Sequence, residues 1–171
     1  MSRALGAALV FGAAAMIGAV VARAHQDRPR VLRSLQAALT MLQTEIVYAG
    51  TPLPEALGQV ARRTPPPTGA FFAAAADILR SRPGITAGEA WQEALRAGPG
   101  WPLTVDDELV LQDLGACLGR SDAADQQKHL QLALTQLARL QAEAEAQREA
   151  QVRLWRWLGV CAGGCLVLLL Y

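Results

Sequence analysis

Residues 122–153 read DAADQQKHLQLALTQLARLQAEAEAQREAQVR and contain neither glycine nor proline. Apolar side chains recur in this stretch at spacings of three and four, the spacing of one face of an α-helix. They belong to Leu130, Ala133, Leu137, Leu140 and Ala144. Beyond Leu140 this seam weakens to Ala, Gln and Glu, so we expect the helix to leave a bundle there as a solvated stalk. The stretch predicts one long helix that continues into the apolar C-terminal segment.

Glycine and proline divide the chain upstream of this stretch into five shorter helices. The first begins near Pro29 and ends at Gly50, and its heptad-like stripe is formed by Leu32, Leu35, Leu39, Leu42 and Ile46. The Pro65–Pro67 run ends the second helix, because proline has no backbone N–H and disfavours helical geometry in the residue before it. No part of the middle region alternates with the period of a strand. We therefore predict an all-α fold built as a six-helix bundle.

Capping patterns mark where the shorter helices begin. A hydroxyl or carboxylate at the N-cap accepts a hydrogen bond from a free backbone N–H of the first turn. The predicted starts are Thr51-Pro52 for the second helix, Thr68 for the third, the capping box Thr86–Glu89 for the fourth, and Ser121, after Gly119, for the sixth.

Both ends of the chain are apolar enough for lipid. Ala4–Ala22 is a run of 19 uncharged residues, about 28 Å long as a helix, which is close to the roughly 30 Å hydrocarbon core of a bilayer. Trp157–Tyr171 also lacks charge. Counted from Leu154 this second run is just long enough to span, and without its first residues it is short enough for an interfacial tail.

A secretory signal peptide is the alternative interpretation of the N-terminus. Arg3 would be its basic region, and residues 22–24 have the A-x-A form of a cleavage site. The apolar run is longer than the roughly 7–15 residues of a signal sequence, and Arg23 lies inside the cleavage motif. These observations favour an uncleaved anchor.

The arginines cluster on the inner sides of the two apolar ends. Arg23, Arg28, Arg30 and Arg33 follow the first run, and Arg148, Arg153 and Arg156 precede the second. The positive-inside rule then places the middle region in the cytoplasm. The predicted domains are an N-terminal transmembrane anchor at 1–24, a cytoplasmic helical bundle at 25–153 and a C-terminal transmembrane or interfacial helix at 154–171.

The composition gives no sign of catalysis or of nucleic-acid binding. Sixteen Lys and Arg balance fifteen Asp and Glu, so no strong field attracts nucleic acid. Nucleotide-binding and hydrolase motifs are absent from the sequence. Asp106, Asp107 and Glu108 form the densest acidic cluster, but their place at a predicted helix start favours dipole stabilisation over acid–base chemistry. We expect no catalytic residue, cofactor, metal site or small-molecule substrate.

Histidine and the small residues of the apolar ends have simple structural interpretations. His129 lies four residues after Asp125, which favours a solvated i,i+4 pair over an oriented base or ligand. Cys161 and Cys165 lie one turn apart, where packing is favoured over metal binding or lipid attachment. Close packing of membrane helices is predicted at Ala14, Gly18 and Ala22 in the first run and at Gly159 and Gly163 in the second.

Two stretches carry a family resemblance. Residues 44–57, TEIVYAGTPLPEAL, join the first two helices, and residues 118–122, LGRSD, followed by DQ at 125–126 and KHL at 128–130, open the last. Together with the apolar ends they resemble stage III sporulation protein AB of endospore-forming bacteria. The resemblance covers essentially the whole chain, and the Pro65–Pro67 loop and the Ala-rich third helix are departures from it.

The resemblance implies a role in the channel, or feeding-tube, complex between mother cell and forespore. The soluble part of the family is similar to the cytoplasmic helical domain of type II secretion F and pilus platform proteins, which contact a secretion ATPase. The chain is therefore expected in the mother-cell membrane facing the forespore, as a platform for the cytoplasmic ATPase and other proteins of the channel complex. A homo-oligomer also fits. The similarity to secretion platforms is an argument from fold.

A partner-binding face is predicted at the polar start of the last helix, with one residue of the first. Its residues are Glu45, Arg120, Asp122, Asp125, Lys128 and His129. A capped turn leading onto a solvated helix face is the plainer interpretation of the same composition. The alternatives for function are a generic secretion or pilus assembly platform, a pore-forming oligomer, and a membrane enzyme with an unrecognised carboxylate site. A pore is disfavoured because neither apolar run supplies charged residues for a lumen.

Overall fold

The computed structural model describes residues 27–98, 100–118 and 123–170, with the backbone alone at 123, 124 and 151–170. Every regular element in these ranges is helical, which confirms the all-α prediction for the described part of the chain. Helix α1 covers residues 27–43 and continues as a π-helix over Thr44–Tyr48. The others are α2 (Leu53–Arg63), α3 (Thr68–Ser81), α4 (Ala87–Arg96), α5 (Val105–Cys117) and α6 (Ala123–Leu170).

Each helix from α2 to α5 packs on the next, and the end of α1 closes the bundle. The π-helical turn of α1 contacts both α2 and α6. Farther along α1, Arg33 Nη2 donates to Glu145 Oε1 at 2.6 Å, and Gln36 Nε2 donates to Gln141 Oε1 at 2.6 Å. Residue numbers rise along one helix as they fall along the other, so α1 and α6 pair in antiparallel fashion.

The apolar stripes predicted for α1 and α6 form the core between these two helices. Four leucines of α1 are fully buried: Leu32, Leu35, Leu39 and Leu42. All five seam residues of α6, from Leu130 to Ala144, are also buried. Residues 146–150 are exposed on a helix that runs on without a break, as predicted for a stalk.

Of the three predicted N-cap residues in the described region, Thr86 is confirmed, and Thr51 and Thr68 are wrong. Thr86 and Glu89 form the predicted capping box, with Glu89 N donating to Thr86 Oγ1 and Thr86 N donating to Glu89 Oε2. Thr51 does not cap α2, because its hydroxyl donates to Glu45 and Pro52 occupies the N-cap position. Thr68 is the first residue of α3, and its buried hydroxyl has no hydrogen-bond partner among the described residues. The predicted cap at Ser121 lies outside the described residues.

Aromatic side chains from α3, α4 and the following loop fill the centre of the bundle. Phe71 and Phe72 meet Trp91 edge-on, with ring centroids 4.7 Å and 5.6 Å from it. Trp91 Nε1 donates to the carbonyl of Leu111 at 2.7 Å, so its polar atom is satisfied inside the core. Gly115 of α5 lies against the Trp91 ring, where a Cβ would collide with it. The indole thus ties α4 to α5.

An ion pair that the sequence did not reveal joins the start of α1 to the start of α5. Arg28 Nε and Nη2 donate to the two carboxylate oxygens of Asp107 at 2.8 Å and 2.9 Å. Asp107 also accepts from the backbone N–H of Thr104 at 2.9 Å. The Asp107 side chain is fully buried, and 12% of the Arg28 side chain is exposed. Asp107 therefore does more than offset a helix dipole.

The predicted membrane segments are only partly within the described residues. No helix among those residues combines the length and the apolar character of a membrane span. The predicted anchor Ala4–Ala22 lies outside the described ranges. The backbone of α6 is helical to Leu170.

Candidate partner-binding surface

The fold brings the end of α1 beside the start of α6. The π-helical turn contacts α6, and the antiparallel pairing with α6 places that turn beside the first turns of α6. We call this end of the bundle the corner surface, formed by Glu45, Tyr48, Asp125, Lys128 and His129. It unites the described members of the predicted partner-binding face with one residue that the prediction omitted.

The corner begins with an unusual chain reversal after α1. The N–H of Ala49 donates to the carbonyl of Thr44 at 3.1 Å, and the N–H of Thr51 donates to the carbonyl of Glu45 at 2.9 Å. Between them Gly50 has φ = 64°, a left-handed conformation in which a side chain would be strained. π-Helical turns widen a helix locally and occur often at functional sites. The Gly50 stop was predicted, and the π turn was not.

Glu45 is mostly buried and stabilises the corner surface through its carboxylate. Its Oε2 accepts a hydrogen bond from Thr51 Oγ1 at 3.0 Å, and its Oε1 lies 3.9 Å from Arg63 Nη1 at the end of α2. Only 17% of the Glu45 side chain is exposed. The carboxylate thus connects the end of α1 to both ends of α2, and a partner would reach it chiefly through its neighbours.

Tyr48 is the exposed aromatic residue of the corner. Its exposed fraction is 75%, on the last residue of the π-helical turn. Exposed tyrosines are enriched at protein interfaces, because the rigid ring buries a large area at low cost in conformational entropy. The signal was present in the sequence: Tyr48 follows the inward Ile46 by two residues, and thus about 200° around the helix.

The start of α6 adds charge to the corner. Lys128 Nζ lies 3.2 Å from Asp125 Oδ1, and both side chains are more than half exposed. Asp125, for which a solvated i,i+4 pair with His129 was predicted, thus forms an i,i+3 pair with Lys128. His129 is exposed and lies at one end of a groove between α5 and α6. Arg120 and Asp122, the other predicted members of the face, lie outside the described residues.

The predicted membrane-packing residues add nothing to this surface. Ala14, Gly18 and Ala22 lie outside the described ranges. Gly159 and Gly163 lie one turn apart on the helical backbone of α6, far along the helix from the corner.

The buried carboxylate of Asp107 is built as a structural group. Burial alone raises the pKa of Asp107, but the hydrogen bonds from Arg28 and Thr104 outweigh it, so the pKa lies below its ordinary value. Both oxygens are engaged and the side chain is closed to solvent. Among the described residues, no three His, Cys, Asp or Glu side chains are grouped so as to hold a metal ion.

Known proteins resemble the chain over its full length. The sequence profile of the family "stage III sporulation protein AB" matches residues 3–171. The stage III sporulation protein AB of Bacillus subtilis (strain 168) is 36% identical over 171 residues, which cover 99% of each chain.

A solved structure shares the fold. It is titled stage III sporulation protein AB (SpoIIIAB) and is 38% identical, with a TM-score of 0.68. The similar region covers 72% of this chain and 98% of the chain in that structure.

Proposed function

The chain belongs to the stage III sporulation protein AB family, and from that premise we propose that it is a membrane-held platform of the channel complex between mother cell and forespore. In this proposal both apolar ends lie in the mother-cell membrane that faces the forespore. The helical bundle lies in the cytoplasm, where its corner surface docks the cytoplasmic ATPase of the complex. Other channel proteins would bind the same platform.

The observation that carries the proposal is the unbroken course of α6. The helix begins at the corner surface, contributes the bundle seam from Leu130 to Ala144, and continues to Leu170. At about 1.5 Å per residue, its 48 residues span roughly 72 Å. A binding surface at one end of a continuous helix is held at a fixed distance from an apolar segment at the other, as a platform requires.

The corner surface supports docking as the work of the platform. It offers one exposed aromatic ring beside charges of both signs. Interfaces commonly combine a central aromatic anchor with a polar rim. The proposal assigns the chain no catalysis, since Asp107 is closed off by its own partners.

The membrane arrangement is tested by labelling single cysteines with an impermeant maleimide. Cys117, Cys161 and Cys165 are first replaced by Ser, and one cysteine is then placed at Ser2, Arg62 or Tyr171. Arg62 is an exposed position of α2, so a thiol there is reachable without unfolding. In non-sporulating cells that express the chain, where the membrane borders the medium, we expect Ser2→Cys and Tyr171→Cys to react from outside the cell, and Arg62→Cys only after permeabilisation. Labelling of Arg62→Cys in intact cells would overturn the proposed orientation.

Docking is tested by co-purifying the sporulation ATPase of the same organism with the full chain in detergent. Tyr48→Asp and Asp125→Lys each put a wrong charge on the corner surface, and we expect recovery of the ATPase to fall about tenfold, the loss of roughly 1.4 kcal/mol. Asp77→Lys is the matched control, because Asp77 is an exposed acid paired with Arg80 three residues on, as Asp125 is with Lys128. Equal recovery with all three variants would place docking elsewhere.

A further inference from the structure

A second surface lies between α5 and α6 and meets the corner surface at His129. Apolar side chains line a groove between the two helices, and its two halves adjoin at Val110 and Gln136. Leu109 on one wall and Leu132 on the other are 48% and 55% exposed. Large apolar side chains that stand together in solvent commonly mark an interface.

The composition of α5 shows that this exposure is systematic. Leu111 and Leu114 turn into the core, while Val105 and Leu109, one turn apart, are exposed on another side of the same helix. A helix that is apolar on more than one side is typically covered on more than one side. In the described part of the molecule, only the core side is covered.

The two walls of the groove carry opposite charges. All four ionisable side chains of α5 between Val105 and Cys117 are acidic, and Asp106 and Asp113 of these line the groove. The α6 wall contributes the base Arg139, and none of the described residues that line it is an acid. Arg139 contacts Glu143 of its own helix at 3.3 Å, at an exposed site where such a pair is weak.

We infer that this groove is the contact between two copies of the chain. A surface that binds its own copy about a two-fold axis must be self-complementary. The acidic wall on α5 beside the Arg139 wall on α6 meets that requirement, because the acidic wall of one copy faces Arg139 of the other.

The positions of the charged residues along the α6 axis determine how the two copies are oriented relative to each other. Asp106, Leu109 and Arg139 line the same half of the groove, so they lie at one level along the helix axis. A two-fold axis parallel to α6 preserves that level and brings Asp106 of each copy to Arg139 of the other. The apolar side chains between them are covered by the same contact. Two copies anchored in one membrane share this direction, and to that extent the direction of the pair rests on the proposed function.

The test exchanges the charges between copies. Asp106→Arg leaves two bases at the contact, and Arg139→Glu leaves two acids, so each variant repels its own copy. A mixture of the two variants restores both pairs, since Arg at 106 of one copy meets Glu at 139 of the other. An effect confined within one chain could not be restored by mixing.

The measurement uses full chains with two different affinity tags, co-expressed and purified in detergent micelles. We expect wild-type copies to co-purify, each variant alone to fall about tenfold, and the mixed variants to return to the wild-type level. Leu109→Asp should also lose co-purification, and Tyr48→Asp at the corner surface should keep it. Circular dichroism confirms that each variant is folded.

Three outcomes would overturn the inference. They are wild-type copies that do not co-purify, single variants that co-purify as well as wild type, and mixed variants that stay apart. None of these outcomes depends on the ATPase, so failure of this inference can be distinguished from failure of the proposed function. Conversely, a loss of ATPase docking in Tyr48→Asp with self-association intact would uphold both.

Discussion

At the scale of single residues, Asp107 shows how a surface-looking cluster can hide a buried group. Three acids follow one another in the sequence, and only the middle one turns inward to meet Arg28. Nothing in the local pattern distinguishes it, because its partner lies 79 residues away. The sequence correctly placed these acids in the first turn of α5, but it did not predict the contact of Asp107 with Arg28.

We expect Asp107→Asn to destabilise the bundle by about 2–4 kcal/mol. The substitution leaves the guanidinium of Arg28 largely buried without a countercharge, and such a charge is costly to keep out of water. Urea unfolding of the full chain followed by circular dichroism measures the change. Asp77→Asn, at an exposed acid of α3, should stay within about 0.5 kcal/mol of wild type. Equal effects at the two positions would contradict the structural role of Asp107.

The same carboxylate predicts a dependence of stability on pH. The pKa of Asp107 in the folded state lies below its ordinary value of 3.8, which it regains on unfolding. Its contribution is therefore complete above that value and is lost as the pH falls through the folded pKa. The difference in unfolding free energy between wild type and Asp107→Asn should be constant from about pH 7 to about pH 5 and shrink at lower pH. A difference that grows on acidification would reverse the sign and contradict the assignment.

At the scale of elements, the sequence predicted most helices because their signals are local. The stripes of α1 and α6 and the Thr86–Glu89 capping box needed only residues within a few turns of each other. The failures at Thr51 and Thr68 have separate causes, each set by neighbouring structure. Thr51 reaches back to Glu45 across the π-helical turn, and Thr68 is enclosed at the first turn of α3.

The candidate site was less predictable than the helices. The members of the corner surface on α6 could be predicted from composition. That they lie beside Glu45 and Tyr48 depends on the antiparallel pairing of α1 with α6, which is held by Arg33, Gln36, Gln141 and Glu145. From the sequence alone, polar side chains at those positions are predicted to be solvated surface residues. Hydrogen bonds from Gln141 of the same helix and from Arg33 of α1 lower the pKa of Glu145.

The stalk of α6 provides a prediction for one element. Ala150→Pro removes a backbone hydrogen bond and kinks the helix, but it lies beyond Ala144, the last buried seam residue. We expect the unfolding temperature of the bundle to be unchanged. Spin labels at Ala138, an exposed position of α6, and at Leu168 should report a backbone separation of about 45 Å in wild type, and a shorter, broader distribution in the variant. Ala150→Leu is the control, and an unchanged distribution in Ala150→Pro would show that the rod does not pass through this point as one helix.

At the scale of the whole molecule, the first and last helices close one core, and truncation should reveal this. Deleting residues 1–43 removes four fully buried leucines, each worth about 1.5–3 kcal/mol, which together rival the entire stability of an ordinary domain. We expect that variant to lose cooperative thermal unfolding. Deleting residues 154–171 should leave the unfolding temperature of the bundle unchanged. Cooperative unfolding without α1 would show that α2–α6 fold alone.

The antiparallel pairing of α1 and α6 also determines how the bundle bears force. Residue 27 and residue 150 lie at the same end of the pair, and the corner surface lies at the other. A pull on the corner against both of those ends runs along the two helix axes and is shared between them. A pull that separates residue 27 from residue 150 instead opens the pair one contact at a time, beginning with Arg33 and Glu145. The molecule should therefore resist tension along the axes of α1 and α6 far better than a sideways force that separates residue 27 from residue 150.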